Sequence, residues 1–473
     1  MLKPQKTKLP FIKGDRKVKL DYRDNLPVNF TSVVANIRGD AGYLLTHDGL
    51  KEFAITNGKA RGAAFNERFN KHYRVSGDFF EEILPDGTVK NLGLTPGSGV
   101  AKLSNSFNTQ AILTDGNLYL WDDNNLRKVD DPDLGFPIDI TWFRGIYVMT
   151  DGETLFHTDI NNEFAISPFK YSSSEFSSDK ILAVSEDTRN QIAAFNRYST
   201  EYFYFDSSAA VGTSVLTPIQ AAVSNIGIVG TNCQTLLDGM FFILGGRQNE
   251  GISVHIIDQS SSFSVATREI DKIIGKYTEA ELESVYMESR VVDRDKFLII
   301  HLPGETLIYN HTVGSEIGKH AAWTYVKSGV ETDEVWRAKY GVFDPRAAKW
   351  IYGDTKESKL AYLDKEMAAQ YGEQVECTCY TPIISNLETA SINSFEIQSI
   401  SGFAGNDFSV SFSMSSNGVT YGREYFNVIS TGTAHAQRYI ARNLGYVRED
   451  FNFKFRFVSV DKMAFSGLEV EFS

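Results

Sequence analysis

The Asp-Gly dipeptides Asp48-Gly49, Asp86-Gly87, Asp115-Gly116 and Asp151-Gly152 each divide two apolar runs. Asp-Gly supplies the positive φ that a tight hairpin turn requires, so each marks a strand folding back on the next. The dipeptides fall roughly 30–40 residues apart. Segments such as GDFFEEILPDGTVKNLG (77–93), TQAILTDGNLYLWDD (109–123) and GIYVMTDGETLFHTD (145–159) share one strand–turn–strand pattern. QIAAFNRYSTEYFYFD (191–206), GMFFILGG (239–246), KFLIIHLPGETLIYN (296–310) and KWIYGD (349–354) carry the pattern on. One hairpin pair per interval is the spacing of propeller blades. The 33 Phe, 22 Tyr and 37 Gly in 473 residues favour the same strand-and-turn architecture.

The pattern changes near residues 372–382. Beyond Ser394 the strands alternate strictly, as in FSVSFSMSS (408–416) and FNFKFRFVSV (451–460). Phe451, Phe453, Phe455 and Phe457 fall on one face, with Asn452, Lys454 and Arg456 on the other, which predicts an antiparallel sheet with one wet side. Asn417-Gly418 predicts a hairpin there. The chain therefore divides into a basic N-terminal arm (1–25), a β-propeller-like domain (26–375) and an antiparallel β-sandwich (376–473), an all-β fold. One or two short helices are expected near 268–289: Thr278 and Glu281 form a capping box, and Leu282, Val285 and Tyr286 follow at helical spacing.

Forty-seven basic against 60 acidic residues give a net charge of −13, the wrong sign for a protein that grips DNA phosphates. The first twenty residues run against this trend, with Lys3, Lys6, Lys8, Lys13, Arg16, Lys17 and Lys19 against Asp15 alone. It is a candidate for docking on an acidic neighbour, a solvated terminus being the plainer reading. No apolar run reaches the ~18–20 residues of a membrane span, and the first residues lack the apolar centre of a secretion signal. Cys233, Cys377 and Cys379 make no disulfide framework and read as buried thiols.

Catalytic spacing is missing: there is no nucleophile elbow, phosphate loop or paired-histidine zinc motif. Neither a catalytic residue, a metal site nor a cofactor is expected, and the chain reads as a non-enzyme. His301, between apolar residues and ahead of Pro303, reads as a hydrogen-bonded structural histidine. Asp122, Asp123, Asp130, Asp131 and Asp133 lack the spacing of a calcium loop and read as turn residues. Asn29-Phe30-Thr31 matches a glycosylation sequon, which has no meaning in a bacterially made protein.

Taken in order, LPVN (26–29), DITWFRGIYVMTDG (139–152), STEYFYF (199–205), GIVGTNCQT (227–235), KYTEAELESVYMES (276–289), FLIIHLPGETLIYN (297–310), WRA (336–338), GDTKES (353–358), QYG (370–372) and YGRE (421–424) resemble the tail hub, or packaged-DNA stabilisation, family of short-tailed phages that infect enteric bacteria. The signature positions are Tyr277, Thr278, Leu282, Met287, His301, Pro303, Arg337, Tyr421, Gly422, Arg423 and Glu424, all expected to be structural.

The resemblance implies a homohexameric ring in the virion tail, assembled in the bacterial cytoplasm. Such a ring lies beneath the portal and its adaptor ring and continues the DNA channel. It holds the needle-like plug and supports trimeric tailspikes, while the genome passes through the lumen without specific binding. Two competing readings are a carbohydrate- or receptor-binding tail protein, which would need Trp or Tyr clustered on one surface, and a sialidase-type hydrolase, which would need an arginine triad beside paired carboxylates.

Overall fold

The computed structural model describes residues 5–12, 25–37, 40–160, 162–210, 212–400, 407–429 and 439–473. Lys3, Lys13, Asp15, Arg16, Lys17 and Lys19 of the basic arm lie outside these residues. Among the described residues, seven sheets of four or five antiparallel strands form the propeller. Blade 1 spans 60–94, blade 2 102–128, blade 3 139–173, blade 4 181–224, blade 5 227–264 and blade 6 286–335. Blade 7 takes three strands from 338–364 and its outermost strand, β4 (Gly49–Ile55), from the other end of the domain. β4 pairs with Lys359–Asp364 from Gly49↔Asp364 to Ile55↔Lys359, and this closes the ring. Each blade buries apolar side chains against the next: Tyr73, Phe80 and Ile112 between blades 1 and 2, Phe143, Ile146 and Phe203 between blades 3 and 4.

The C-terminal strands form two facing sheets joined by one long strand, Tyr439–Ser459, whose first half pairs with Ile384–Ser399 and whose second half pairs with Phe408–Ser415 and Val375–Tyr380. Phe395, Phe412, Phe453 and Phe455 pack between the sheets with ring centroids 4.8–6.5 Å apart.

Strand pairing does not follow the expected division at residue 25. β1 (Gln5–Pro10) lies antiparallel on the last strand, Ala464–Phe472; β2 (Phe30–Ile37) pairs with β3 (Asp40–Thr46), and β3 reaches the start of that same last strand. Both chain ends thus build the sandwich, and the propeller is inserted between them. The acidic neighbours of the arm's described lysines belong to the protein itself: Lys6 meets Glu469 of the last strand at 2.7 Å, and Lys8 meets Asp40 of β3 at 2.6 Å. Leu9, Phe11 and Ile12 bury their side chains, so apolar burial as well as charge seats the arm.

Asp86-Gly87, Asp115-Gly116 and Asp151-Gly152 close blade hairpins with glycine φ of 88°, 75° and 100°. Asp48-Gly49 does not: it carries the chain from sandwich to propeller. Gly49 is needed there for space, since a Cβ would lie 2.4 Å from the Ala369 carbonyl oxygen. Asn417-Gly418 is not a two-residue hairpin either. It sits in a longer loop between Phe408–Ser415 and Tyr425–Ile429, where Ser415 Oγ accepts from Gly418 N at 2.9 Å.

The capping box at Thr278 forms, but α2 (Glu279–Leu282) is a single turn, and Tyr286, expected on its face, opens the first strand of blade 6. α1 (Arg268–Ile274) precedes it; α3 (His311–Glu316) and α4 (Lys319–Ala322) interrupt blade 6 and were not foreseen. No helix among the described residues is long and apolar enough to cross a membrane.

Candidate functional site: the joint between propeller and sandwich

Leu26-Pro27-Val28-Asn29 runs between the two domains and hydrogen-bonds to both. Val28 exchanges both backbone bonds with Thr378 of the sandwich, at 2.8 and 3.0 Å. Tyr325 of blade 6 donates to the Pro27 carbonyl at 2.9 Å and accepts from Asn29 N at 2.7 Å. Proline fits at position 27 because only its acceptor is used. The blade 6 sheet is thereby continuous with the sandwich. Asn29 fixes the register: at φ 54° its buried carboxamide donates to the Glu376 carbonyl at 2.7 Å and accepts from Lys327 N at 2.9 Å. That burial also removes the sequon asparagine from solvent.

Around it runs a string of ions. Lys327 lies 3.4 Å from Glu376, whose other oxygen accepts from Glu331 N at 2.8 Å. Arg456 contacts Glu376 at 3.7 Å, Glu331 at 2.9 Å and Glu424 at 2.8 Å. Ser411 also donates to Glu424. Burial works against ionising Glu424, yet the Ser411 and Arg456 bonds hold its carboxyl below the usual range. The face of FNFKFRF expected to be wet is therefore the one turned to the joint: Asn452 is buried and Arg456 is only 17% exposed, while the four phenylalanines face the core as expected.

A second joint lies at blade 7. Lys462 Nζ donates to the Thr46 carbonyl at 2.9 Å and to Asp48 at 2.5 Å, and Met463 N donates to Thr46 Oγ1 at 3.0 Å. His47 donates from Nδ1 to the Asp48 carbonyl at 3.0 Å and accepts at Nε2 from Arg290 of blade 6 at 3.1 Å. Burial, reinforced by the Arg290 guanidinium, pushes the His47 pKa down to about 3 and keeps the ring neutral.

The signature residues gather in several places, not one. Leu282 is buried, and its carbonyl accepts from Cys233 Sγ at 3.4 Å; Met287 N donates to Asn232 at 2.9 Å, so the GIVGTNCQT and KYTEAELESVYMES stretches pack on each other. Tyr277 packs its hydroxyl against Gly304, beside the exposed Pro303. His301 donates to Glu288 at 2.9 Å and lies parallel to Trp336, and Glu288 accepts from Gly341 N at 2.8 Å, fastening blade 6 to blade 7.

Arg337 pairs with Asp354 at 2.6 Å and Glu357 at 3.0 Å, with its guanidinium 4.4 Å from the centre of the Tyr371 ring. WRA, GDTKES and QYG thus converge on one cluster. Tyr421 accepts from Asn452 at 3.0 Å, Gly422 N donates to Met414 at 2.9 Å, and Arg423 lies over Tyr425. Asp122 and Asp131 close turns by accepting from Asn125 N at 2.7 Å and Asp133 N at 2.9 Å, and Asp123 pairs with Lys71.

Lys462, Asp48, Glu376 and Lys327 escaped the sequence reading. The alternation around Lys327 and Glu376 marks strands, but nothing local signals ion-pair partners 49 and 414 residues away.

Both halves of this architecture match one family. Residues 7–368 match the family described as Bacteriophage P22 Gp10, beta-propeller, and residues 376–473 match Bacteriophage P22 Gp10, beta-sandwich. The chain belongs to the P22 Gp10 family. This member is 28% identical over 479 residues to the tail hub protein gp10 of Salmonella phage P22, with 98% of each chain covered. Solved structures similar to this Gp10-family chain include the Pan2 WD40 domain of Neurospora crassa, at 10% identity and TM-score 0.43 over 67% of this chain and 96% of that one. Virginiamycin B lyase of Staphylococcus aureus is similar at 11% identity and TM-score 0.43, over 67% and 98%.

Proposed function

We propose that this protein is a structural tail hub of a short-tailed phage: a homohexameric ring below the portal and adaptor that continues the DNA channel, seats the needle plug and carries the tailspikes. The observation that carries this reading is the match across both domains to the P22 tail hub, over nearly the full length of each chain. The role is mechanical, not enzymatic. Two joints with buried hydrogen bonds and ion pairs suit a part that must transmit load between a propeller and a sandwich without bending. A net charge of −13 per copy suits a wall along which DNA slides, since binding to phosphate needs clustered cations. Assembly in the host cytoplasm fits three buried thiols with no disulfide.

Electron microscopy of the purified protein, and of virions labelled on the chain, tests the reading. Six-fold rings and label in the tail are expected; label confined to the capsid or absent from virions would refute it. Duplex DNA retained tightly by the ring at about 150 mM salt would count against the non-binding channel.

A further inference from the structure

We propose that copies of this chain join head to tail, the outer strand of the sandwich in one copy pairing with the outer strand of blade 3 in the next. The first of these strands is Tyr425–Ile429, which ends its sheet and pairs, among the described residues, with Phe408–Ser415 alone. Its register is unbroken. YFNVI holds no lysine, proline or bulge, the features by which proteins keep an open strand edge from pairing. Tyr425 stacks on Phe412 at 5.1 Å toward the core, so alternation turns Phe426 and Val428 to the other face, where they are 67% and 54% exposed. The second strand is Asn162–Ser173, the outermost of blade 3, paired among the described residues with Thr154–Asp159. Phe169 and Tyr171 share one face of it and are 74% and 58% exposed. Two apolar strand edges left at the surface are the material of pairing between chains.

The charges beside the two edges are opposite. Arg423 and Lys454 lie at the Tyr425 end of the sandwich strand, 5.7 Å from the centre of the Tyr425 ring and 6.0 Å from that of Tyr421. Neither forms an ion pair among the described residues. Asp151, Glu153 and Glu175 lie at the Ser173 end of the blade 3 strand: Thr154 stands opposite Ser173, and Glu175 accepts from Ser173 Oγ at 2.6 Å. They too have no ion pair among the described residues. Matching cations to carboxylates sets the start of one strand beside the end of the other, an antiparallel pair. The two edges lie on opposite sides of one chain. The sandwich is fastened to blades 6 and 7, and blade 3 is equally far from their boundary in both directions round the seven blades. A contact between unlike surfaces repeats from copy to copy and closes into a ring. The inference rests on the ring reading above, and it names the surfaces that make the ring.

The test is sedimentation velocity of the full chain and its variants. The wild-type chain is expected to assemble. Phe426→Asp and Tyr171→Asp, both at exposed positions, are each expected to raise the concentration needed for half-assembly about tenfold or more. Mixed in equal amounts, these two variants should form a dimer and nothing larger, because together they offer one intact pair of edges. Phe263→Asp, on exposed surface of blade 5, should assemble as the wild type does. A short bismaleimide gives a second reading, since the native thiols are buried. Copies with Asn427→Cys and copies with Tyr171→Cys should link when mixed and not when kept apart. Edge variants that assemble like the wild type, or no linked dimer in the mixture, would overturn this contact and leave the ring reading standing. A wild-type chain that stays monomeric would overturn both.

Discussion

The ammonium group of Lys462 lies 2.5 Å from the carboxylate of Asp48, joining residues 414 positions apart where the chain leaves the sandwich for the propeller. The Lys462 side chain is only 4% exposed. Removing one partner leaves the other charged and buried, which costs about 3–5 kcal/mol. Lys462→Met and Asp48→Asn are each expected to destabilise strongly, and the double variant by less than their sum. Urea titration of the four proteins measures this coupling, and strict additivity would show that the pair does not act as a unit.

Asn29 unites a left-handed backbone with two side-chain bonds. Asn29→Gly keeps the backbone at ease and loses the bonds; Asn29→Ala loses both. The alanine variant should be less stable than the glycine one by about 1 kcal/mol, the reverse of their order in ordinary secondary structure. Thermal melts of the two proteins decide it.

Acid should weaken the second joint. The folded His47 pKa of about 3 lies below the ordinary value of 6.5. Between those values the unfolded chain takes up a proton that the folded chain refuses, so stability falls as pH drops from about 6.5 toward 3. His72, held down to about 4 chiefly by burial, adds a loss of the same sign. His47→Gln cannot titrate, and its stability should fall less steeply over that window. Matching slopes in guanidinium titrations from pH 7 to about 4 would rule out His47 as the cause.

A chain ending at residue 375 should not yield a sound propeller. It would strip β1 and β3 of the strand Ala464–Phe472 and uncover Phe30 and Leu44, which are 0% and 1% exposed. Dye binding and light scattering should report exposed apolar surface and aggregation. A permuted chain that begins at 376, runs through 473 into residue 1 and ends at 375 should instead fold, since Gln5 already pairs with Phe472.

Local features of the sequence were read faithfully; distant ones were not. Three Asp-Gly turns, the Thr278 capping box and the phenylalanine face of 451–457 each depend on residues a few positions apart. Asp48-Gly49 looked like its three fellows because a close-approach glycine and a turn glycine share one dipeptide. Tyr286 matched helical spacing, yet its strand pairing with His301 prevailed over one turn of helix. Asn452 and Arg456 alternate as solvent residues do, and only the placement of Glu331 and Tyr421 shows that their face is covered. Blade number was hidden because the repeats keep a hydrophobic pattern and not particular residues. The partners of Asn29 and Lys462 lie beyond any local window.

The weaving of both chain ends into one sandwich also orders events during synthesis. β1, β2 and β3 leave the ribosome first, yet the strand they need is among the last residues made. At ~5–20 residues per second the wait is on the order of half a minute. Through that interval the growing chain has no finished sandwich to offer a neighbour, and β4 cannot close the propeller until blade 7 exists. A nascent copy therefore lacks the closed propeller until blade 7 is made, and lacks the completed sandwich until Ala464–Phe472 is made.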